Sequence, residues 1–408
     1  MKAVLNRVVV VGASAGGLGA AEALRRAGYE GAITLVGDEA EPPYDRPPLS
    51  KQLLCGHWEP ERLALRPTAD LNALALELRL GVPAARLDPG ARSVTLADGT
   101  GLEYDALVVA TGVRARRLPG TDGVAGVHTL RTLRDALALR ARLRRGRRLV
   151  VVGAGFLGTE VAAAARGLGV GVTLVESAPV PLAPAVGEQA GRFLARLHQD
   201  HGVAVCAAAS VTEVLSAEGR VTGVRLTDAS PGTTVVPADD VLVAIGSAPN
   251  TEWLADSGLT VQDGLLCDEY CRAGPGVYGV GDVARWYNPL FGTAMRVEHR
   301  TNATEQAMAV ARGLVGPGER RPFAPVPYFW SDQYGTRFQA HGRLRGHDEA
   351  RVLDSDFAGR RLLVAYRTGD RIAGVLAAGV SPTTVRAWRS LVAARSPWEA
   401  ALTGSITA

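Results

Sequence analysis

RVVVVGASAGGLGAAEALRR, residues 7–26, passes from four consecutive valines into a glycine-rich turn and then into an alanine-rich stretch. The chain repeats this at residues 147–168, RRLVVVGAGFLGTEVAAAARGL. Each copy has the form of a dinucleotide-binding turn. Its glycines let the backbone turn sharply and approach a pyrophosphate, while the helix behind them offers free N–H groups and a positive dipole end. One such glycine triplet is weak evidence, because loose glycine motifs arise by chance. Two copies, each between a predicted strand and helix and each followed by a second strand ending in an acid, imply two nucleotides on one chain and chemistry passing between them.

Working outward, the first βαβ unit runs from Arg7 to Val36, with Gly28 placed to end its helix. A proline-rich loop, EPPYDRPPLSKQLLCG (41–56), enters a short predicted helix. Residues 86–110 alternate and carry the turn signals DPGA and ADGTG, the pattern of a small antiparallel meander closing on ALVVATG. The second βαβ unit ends its second strand at Glu176, and a Pro/Ala linker, SAPVPLAPAVGEQ (177–189), precedes a helix and a hairpin. DDVLVAIG and SAPN then close that unit, and VYGVGD with a predicted helix over 301–314 resumes the first pattern. From Arg321 the texture changes to short strands and a late helix, with a hairpin across TGD (368–370). This tail reads as a packing or dimerisation module.

A chain of 408 residues has room for two or three domains with large cores. Its net charge of +4 is too small to argue for nucleic acid, and no stretch reaches the length of a membrane span. Four scattered cysteines form no disulfide framework, so a cytoplasmic protein is expected. CDEYC (267–271) and HQDH (198–201) lack further ligands nearby and read as structural, so no metal is expected. Six arginines between Arg140 and Arg148 read as a solvated helix face, with a docking patch for an acidic protein as the alternative. Lys2 and Lys51 are the only lysines among 45 basic residues. Against that bias Lys51 stands out, since arginine and lysine are not interchangeable at tight sites.

GASAGG, PYDRPPLSK, ATG, LRTL, GAGFLGTE, LVES, AIGSAPN, VYGVGD, EHRTNATEQ and FWSDQYG follow one another in an order that resembles the FAD-dependent NADH:ferredoxin reductases of bacterial oxygenase systems. PYDRPPLSK and FWSDQYG are much more specific than any glycine triplet. The resemblance implies an α/β fold with two Rossmann-like nucleotide-binding domains, arranged as in glutathione reductase, and a small α+β C-terminal domain. It implies an FAD-binding domain over 1–112 and 247–320, an NAD-binding domain over 113–246, and a C-terminal domain over 321–408.

In the first turn Gly12, Ser14 and Gly17 occupy the three glycine positions, with Gly16 beside them, and Asp38 is placed to accept hydrogen bonds from a ribose. The resemblance further implies that Arg46, Lys51, Ala84, Thr111, Gly112, Arg131, Asp282, His299 and Arg300 contact FAD. Many relatives carry Trp where Arg300 stands, and a fixed cation there would shift the flavin potential. In the second turn Gly153, Gly155 and Gly158 complete the fingerprint, with Leu157 between them. Glu176 would take both ribose hydroxyls and repel a 2′-phosphate, favouring NADH over NADPH. Phe156 falls where the family places an aromatic ring over the flavin, to be displaced when nicotinamide stacks, or is a core residue at the start of a buried helix; Gly246, Glu298 and Trp330 match positions that contact the nicotinamide half or its pocket. Lys51 and Glu160 are implied to meet beside the flavin as a pair that tunes it, with no general acid or base.

The implied partner is an acidic iron–sulfur ferredoxin serving a monooxygenase or dioxygenase, with Arg114, Arg116, Arg117, Arg343 and Arg345 as candidate docking cations. A monomer or weak homodimer is expected. Two other readings stay open. One is a single-cysteine NADH peroxidase through Cys55; the C-x-x-x-x-C pair of disulfide reductases is not present beside Asp38. The other is an NADH-responsive flavin scaffold like apoptosis-inducing factor.

Overall fold

Both glycine turns sit where a strand passes into a helix in the computed structural model, which describes residues 5–227, 233–316, 318 and 320–403. The first passage is β1 (Arg7–Val11), α1 (Ala15–Arg26) and β2 (Ala32–Gly37); the second is β3 (Arg148–Val152), α2 (Phe156–Gly167) and β4 (Gly171–Val175). Later elements that matter for the site are α3 (Ala183–Asp200), α4 (Arg300–Val315) and β5 (Tyr328–Gln333).

The chain divides into two compact units. The first gathers Met1–Asp45, Leu63–Arg114 and Ala248–Pro325; the second gathers Arg46–Arg62, Ala115–Ser247 and Val326–Ala408. The three expected domains therefore meet a twofold division, in which the C-terminal segment and the loop holding Lys51 group with the second nucleotide turn.

The sheet of the first unit runs Arg272–Gly274, Val277–Gly279, Ala106–Val109, β1, β2, Glu77–Leu80. Strand β1 is parallel to both neighbours, with Val8 opposite Ile33 on one side and Ala106 on the other. A central parallel strand is covered on both faces, which is why its residues are valine without alternation, and Val8–Val11 are all buried. Helix α1 lies close to α4 because Gly19 faces Ala307. The predicted meander is present as three antiparallel strands, Ala84–Asp88, Ser93–Leu96 and Gly101–Glu103.

In the second unit a parallel sheet runs Ala204–Cys206, β4, β3, Asp240–Val243, Val127–His128. A separate antiparallel sheet is built from β5, Thr336–Gly342, Arg371–Ala378, Arg361–Thr368 and Glu349–Asp356. The hairpin expected across TGD joins two of its strands. Phe193, Leu194 and Leu197 of α3 share a core with Phe338, Leu362, Tyr366 and Leu376 of this sheet. The tail thus covers the apolar face of α3, as a packing module would.

Three local expectations change. Helix α3 starts at Ala183, inside the predicted linker, because Pro184 suits the first helical turn and lacks the N–H that would go unused there. Its early course is broken at Gly187, whose φ is +78°. The segment after PYDR is a 3₁₀ turn, Pro47–Ser50, and not an α-helix. The arginines of 140–148 are not simply solvated: Arg142 and Arg147 both bind Asp240, which is 2% exposed, at 2.8 and 2.9 Å. Arg148 pairs with Asp239 and Arg140 with Glu59. Among the described residues no helix is long and apolar enough to cross a membrane.

Candidate functional site

The two glycine turns are held by matching backbone contacts. Gly12 has φ +120°, donates its N–H to the Val36 carbonyl at 2.7 Å, and would bring a Cβ to 2.1 Å from the Ala110 carbonyl oxygen. Gly153 has φ +99°, donates to the Val175 carbonyl at 2.8 Å, and would bring a Cβ to 2.4 Å from the Ala244 carbonyl oxygen. The third glycine of each motif backs onto the first: a Cβ on Gly17 would lie 1.8 Å from the Gly12 oxygen, and one on Gly158 2.0 Å from the Gly153 oxygen. No side chain larger than hydrogen fits at these four positions. Ser14 and Gly155 are the extended N-caps of α1 and α2, and neither helix has a side-chain cap or an acid in its first turn. Each helix therefore presents its first N–H groups and positive end to an anion, and the residues fit a pyrophosphate at both turns.

Several other predicted residues gather in the first unit. Thr111 and Asn250 are locked reciprocally: the Thr111 hydroxyl donates to the Asn250 carbonyl at 2.8 Å, and Asn250 Nδ2 to the Thr111 carbonyl at 2.9 Å. Gly112, at φ +65°, accepts the Asn250 N–H. Asp282 is half-buried in a 3₁₀ turn whose Gly281 N–H is held by Gln306 at 2.8 Å. His299 is the N-cap residue of α4 and its side chain makes no capping bond to the helix, and no acid occupies that first turn either. Arg300 donates to Asp45 at 2.7 Å, so its cation is paired and held. Ala84 begins a half-exposed strand end, and Glu298, expected on the nicotinamide side, also lies in this unit, paired with Arg296 at 2.6 Å.

Asp38 falls out of step with its counterpart. Glu176 directly follows Val175, the residue whose carbonyl holds Gly153; the residue that directly follows Val36 is Gly37. Asp38 therefore stands one place beyond the position that Glu176 occupies, and it is exposed. Glu176 itself is firmly placed. One carboxylate oxygen accepts the Ala154 N–H at 2.8 Å, and the other accepts the Ala178 N–H at 2.9 Å and the Ser177 hydroxyl at 3.2 Å.

The second unit brings Lys51 and Glu160 together. Lys51 Nζ lies 2.6 Å from Glu160 Oε2, with side chains only 15% and 8% exposed. The ammonium also donates to the Pro47 carbonyl and to Ser50 Oγ, both at 3.2 Å. Glu160 accepts two hydroxyls besides, from Ser50 at 2.6 Å on Oε2 and from Ser331 at 2.8 Å on Oε1. Such a pair is well supported, because all three ammonium protons and both carboxylate oxygens have hydrogen-bond partners. Ser50 and Ser331 were not singled out from sequence, although both lie inside the two most specific motifs, PYDRPPLSK and FWSDQYG.

Arg46 donates to the Arg131 carbonyl at 2.8 Å, and Arg131 is set by the capping box of Thr132 and Asp135. Phe156 packs edge-on to Phe329 with ring centroids 4.5 Å apart and stays half-exposed, as does Leu157. Trp330 stacks with Tyr328, and Gly246, at φ +95°, accepts the Arg116 N–H. Cys55 is half-buried, and burial pushes its thiol up, away from the thiolate a peroxidatic cysteine needs. Cys267 and Cys271 are buried, with thiols raised for the same reason.

Comparison with known proteins agrees with this fold. Residues 6–307 match the family described as pyridine nucleotide-disulphide oxidoreductase, and residues 328–405 match the module described as reductase C-terminal. Rhodocoxin reductase of Rhodococcus erythropolis is 38% identical over 392 residues, covering 96% of this chain and 90% of that protein. Putidaredoxin reductase CamA of Pseudomonas putida is 36% identical over 377 residues, covering 91% of this chain and 88% of the relative. Among solved structures, the covalent putidaredoxin reductase–putidaredoxin complex superposes with a TM-score of 0.90 at 34% identity, covering 96% of this chain and 94% of that one. The duplicated turn, the matched order of motifs and these likenesses make the chain a member of the pyridine nucleotide-disulphide oxidoreductase family, carrying the reductase C-terminal module.

Proposed function

We propose that this chain is a reductase that takes hydride from NADH with the help of FAD and delivers electrons one at a time to an iron–sulfur ferredoxin serving an oxygenase. The observation that carries the reading is the doubled glycine turn with two uncapped helix ends, which suits two nucleotides. Bound FAD would supply the conversion of a two-electron donor into single electrons. The protein's part is to hold, orient and shield.

The α1 turn, with Thr111, Gly112 and Asp282, would hold FAD, and the N-terminus of α4 at His299 would place positive potential at its ring. The α2 turn would hold the pyrophosphate of NADH, and Glu176 would take its ribose hydroxyls. The ion pair of Lys51 and Glu160 would keep a fixed, mutually neutral couple near the reacting centre. None of these residues has to exchange a proton for hydride to move.

A ferredoxin partner is supported by the names of the relatives, rhodocoxin reductase and putidaredoxin reductase among them. Of the candidate docking cations, Arg114 and Arg117 are tied to Glu252 and Asp122, while Arg343 and Arg345 of the C-terminal segment make no ion pair with a carboxylate among the described residues. We take Arg343 and Arg345 as the stronger candidates for an acidic partner. Four free thiols suit a reducing compartment, and the cytoplasm is the proposed location, with a monomer or weak homodimer as the working state.

Purification followed by NADH-driven reduction of a panel of ferredoxins tests the reading. A yellow protein that reduces at least one ferredoxin rapidly, with turnover falling as salt rises, is expected. A colourless protein, or a reduced flavin that reoxidises slowly with every ferredoxin tried, refutes it; the second result favours the scaffold.

A further inference from the structure

Behind the Lys51–Glu160 pair a line of polar side chains runs into the interior of the second unit. Ser331 Oγ lies 2.8 Å from Glu160 Oε1. Gln333 Nε2 lies 3.0 Å from Ser331 Oγ and 2.9 Å from Thr159 Oγ1. Gln333 Oε1 lies 3.0 Å from His198 Nε2, and His198 Nδ1 lies 2.9 Å from the Tyr334 hydroxyl. Thr159, His198 and Ser331 are fully buried and Gln333 is 1% exposed, so each of these groups depends on its neighbours for hydrogen bonds.

The chemistry of the carboxylate fixes every proton in the line. An ionised carboxylate only accepts. Ser331 has one proton and gives it to Glu160, so its oxygen must accept from Gln333, which puts the amide nitrogen on that side. The amide oxygen then faces His198, and an oxygen cannot donate, so Nε2 carries the ring proton. Burial pulls His198 down to about 4, leaving it neutral near pH 7 with a bare Nδ1. Tyr334, whose hydroxyl burial holds in its protonated form, donates to that nitrogen. Thr159 closes the account by accepting from Gln333 and donating to the carbonyl of Gly155 or Phe156, both at 3.0 Å.

We propose that Tyr334, His198, Gln333 and Ser331 are positioning residues, which hold the Glu160 carboxylate, and through it the Lys51 ammonium, in one orientation by a hydrogen-bond chain that runs in a single direction while Glu160 is ionised. The chain orients and does not conduct, because an amide has no proton to hand on without becoming an imidic acid. It also ties three elements to one point: α2 through Thr159 and Glu160, α3 through His198, and β5 through Ser331 and Gln333. The consequence for catalysis rests on the flavin reading above; the state of the histidine does not.

Imidazole ¹⁵N NMR of the purified protein at pH 7 reads that state directly. The His198 signals are those lost in His198→Asn or, should that variant fail to fold, those whose Nδ1 moves in Tyr334→Phe. A protonated Nε2 with a bare Nδ1 is expected, and a protonated Nδ1 overturns the proposal whatever the electron acceptor. The scarcity of lysine gives a second arm. With only Lys2 and Lys51 in the chain, a lysine Nζ label yields two signals, and Lys51→Arg assigns them. In Gln333→Met and Gln333→Glu, checked for fold by circular dichroism, the Lys51 signal should move and its ammonium protons should exchange with water about tenfold faster. An unmoved Lys51 signal in both folded variants removes the positioning role. Failure of flavin binding with the expected tautomer intact would count against the functional reading alone.

Discussion

Glu176→Gln is the substitution that most sharply separates a ribose-binding carboxylate from an incidental one. Both oxygens of Glu176 already accept backbone N–H groups, one from Ala154 at 2.8 Å and one from Ala178 at 2.9 Å. A glutamine amide has one accepting atom, so either way round it sets its NH₂ against a backbone N–H. The loss of one hydrogen bond to a charged group is worth about 1.5–3 kcal/mol, a factor of roughly 10 to 100 in affinity. Bonds to the two ribose hydroxyls weaken as well, since charge-assisted bonds are roughly twice as strong as neutral ones. The kcat/KM for NADH should therefore fall by about 10- to 100-fold, chiefly through KM. For NADPH the same change removes a repulsion worth up to about 4 kcal/mol at contact distance, so its kcat/KM should hold or rise. Steady-state rates with a small artificial acceptor at fixed ionic strength give both values without involving a protein partner. If the NADH parameters stay within twofold, or both cofactors suffer equally, Glu176 does not read the ribose.

Gly12→Ala should yield protein without flavin, because a Cβ at 2.1 Å from the Ala110 oxygen and a φ of +120° both exclude alanine, and stoichiometric yellow protein would contradict this. Lys51→Met and Glu160→Leu each leave one partly buried charge alone, at a cost of about 3–5 kcal/mol, while the double variant should cost much less. A coupling below about 0.5 kcal/mol in urea unfolding would make the pair a screened surface contact. His198 has its folded value lowered to about 4 by burial, with Gln333, Tyr334 and His201 as its facing groups. Between pH 6.5 and 4 the unfolded chain therefore binds more protons, and stability should be full above 6.5 and fall as pH falls, by about 2 kcal/mol at pH 5. An unfolding profile that is no flatter in His198→Phe than in the unsubstituted protein would place the loss elsewhere. Cys55→Ser should leave NADH-driven acceptor reduction intact, and its loss would revive the cysteine peroxidase.

What could be read from sequence was what the backbone decides locally. The two glycine turns, the meander and the hairpin across TGD follow from residues that only one backbone geometry suits, and all are where the spacing put them. Partners distant in the chain were not legible. Arg142 and Arg147 looked solvated because Asp240, their shared carboxylate, lies more than ninety residues away. Glu160 could be paired with Lys51 through the family resemblance, yet Ser50 and Ser331, which bond it, and Gln333 and His198 behind Ser331 lie far from it in the chain, and their motifs do not announce that they meet. The start of α3 was hidden because proline reads as a breaker unless its place in the first turn is known. The offset of Asp38 could be seen only by lining up the carbonyls that hold Gly12 and Gly153.

The sheet beginning with β1 has a consequence for how the molecule is made. Its strand Val277–Gly279 hydrogen-bonds directly beside Ala106–Val109, so the ribosome must add well over a hundred residues before that valine-rich edge is covered. The other unit waits longer still, since Val326–Ala408 belongs to it. The first body has all its segments once Pro325 is made and the second only after Val326–Ala408, and no single cut of the polypeptide releases either one whole. Nascent chains should accordingly engage chaperones until the segment Val326–Ala408 has been made, and bisected gene fragments should recover a fold only when co-expressed.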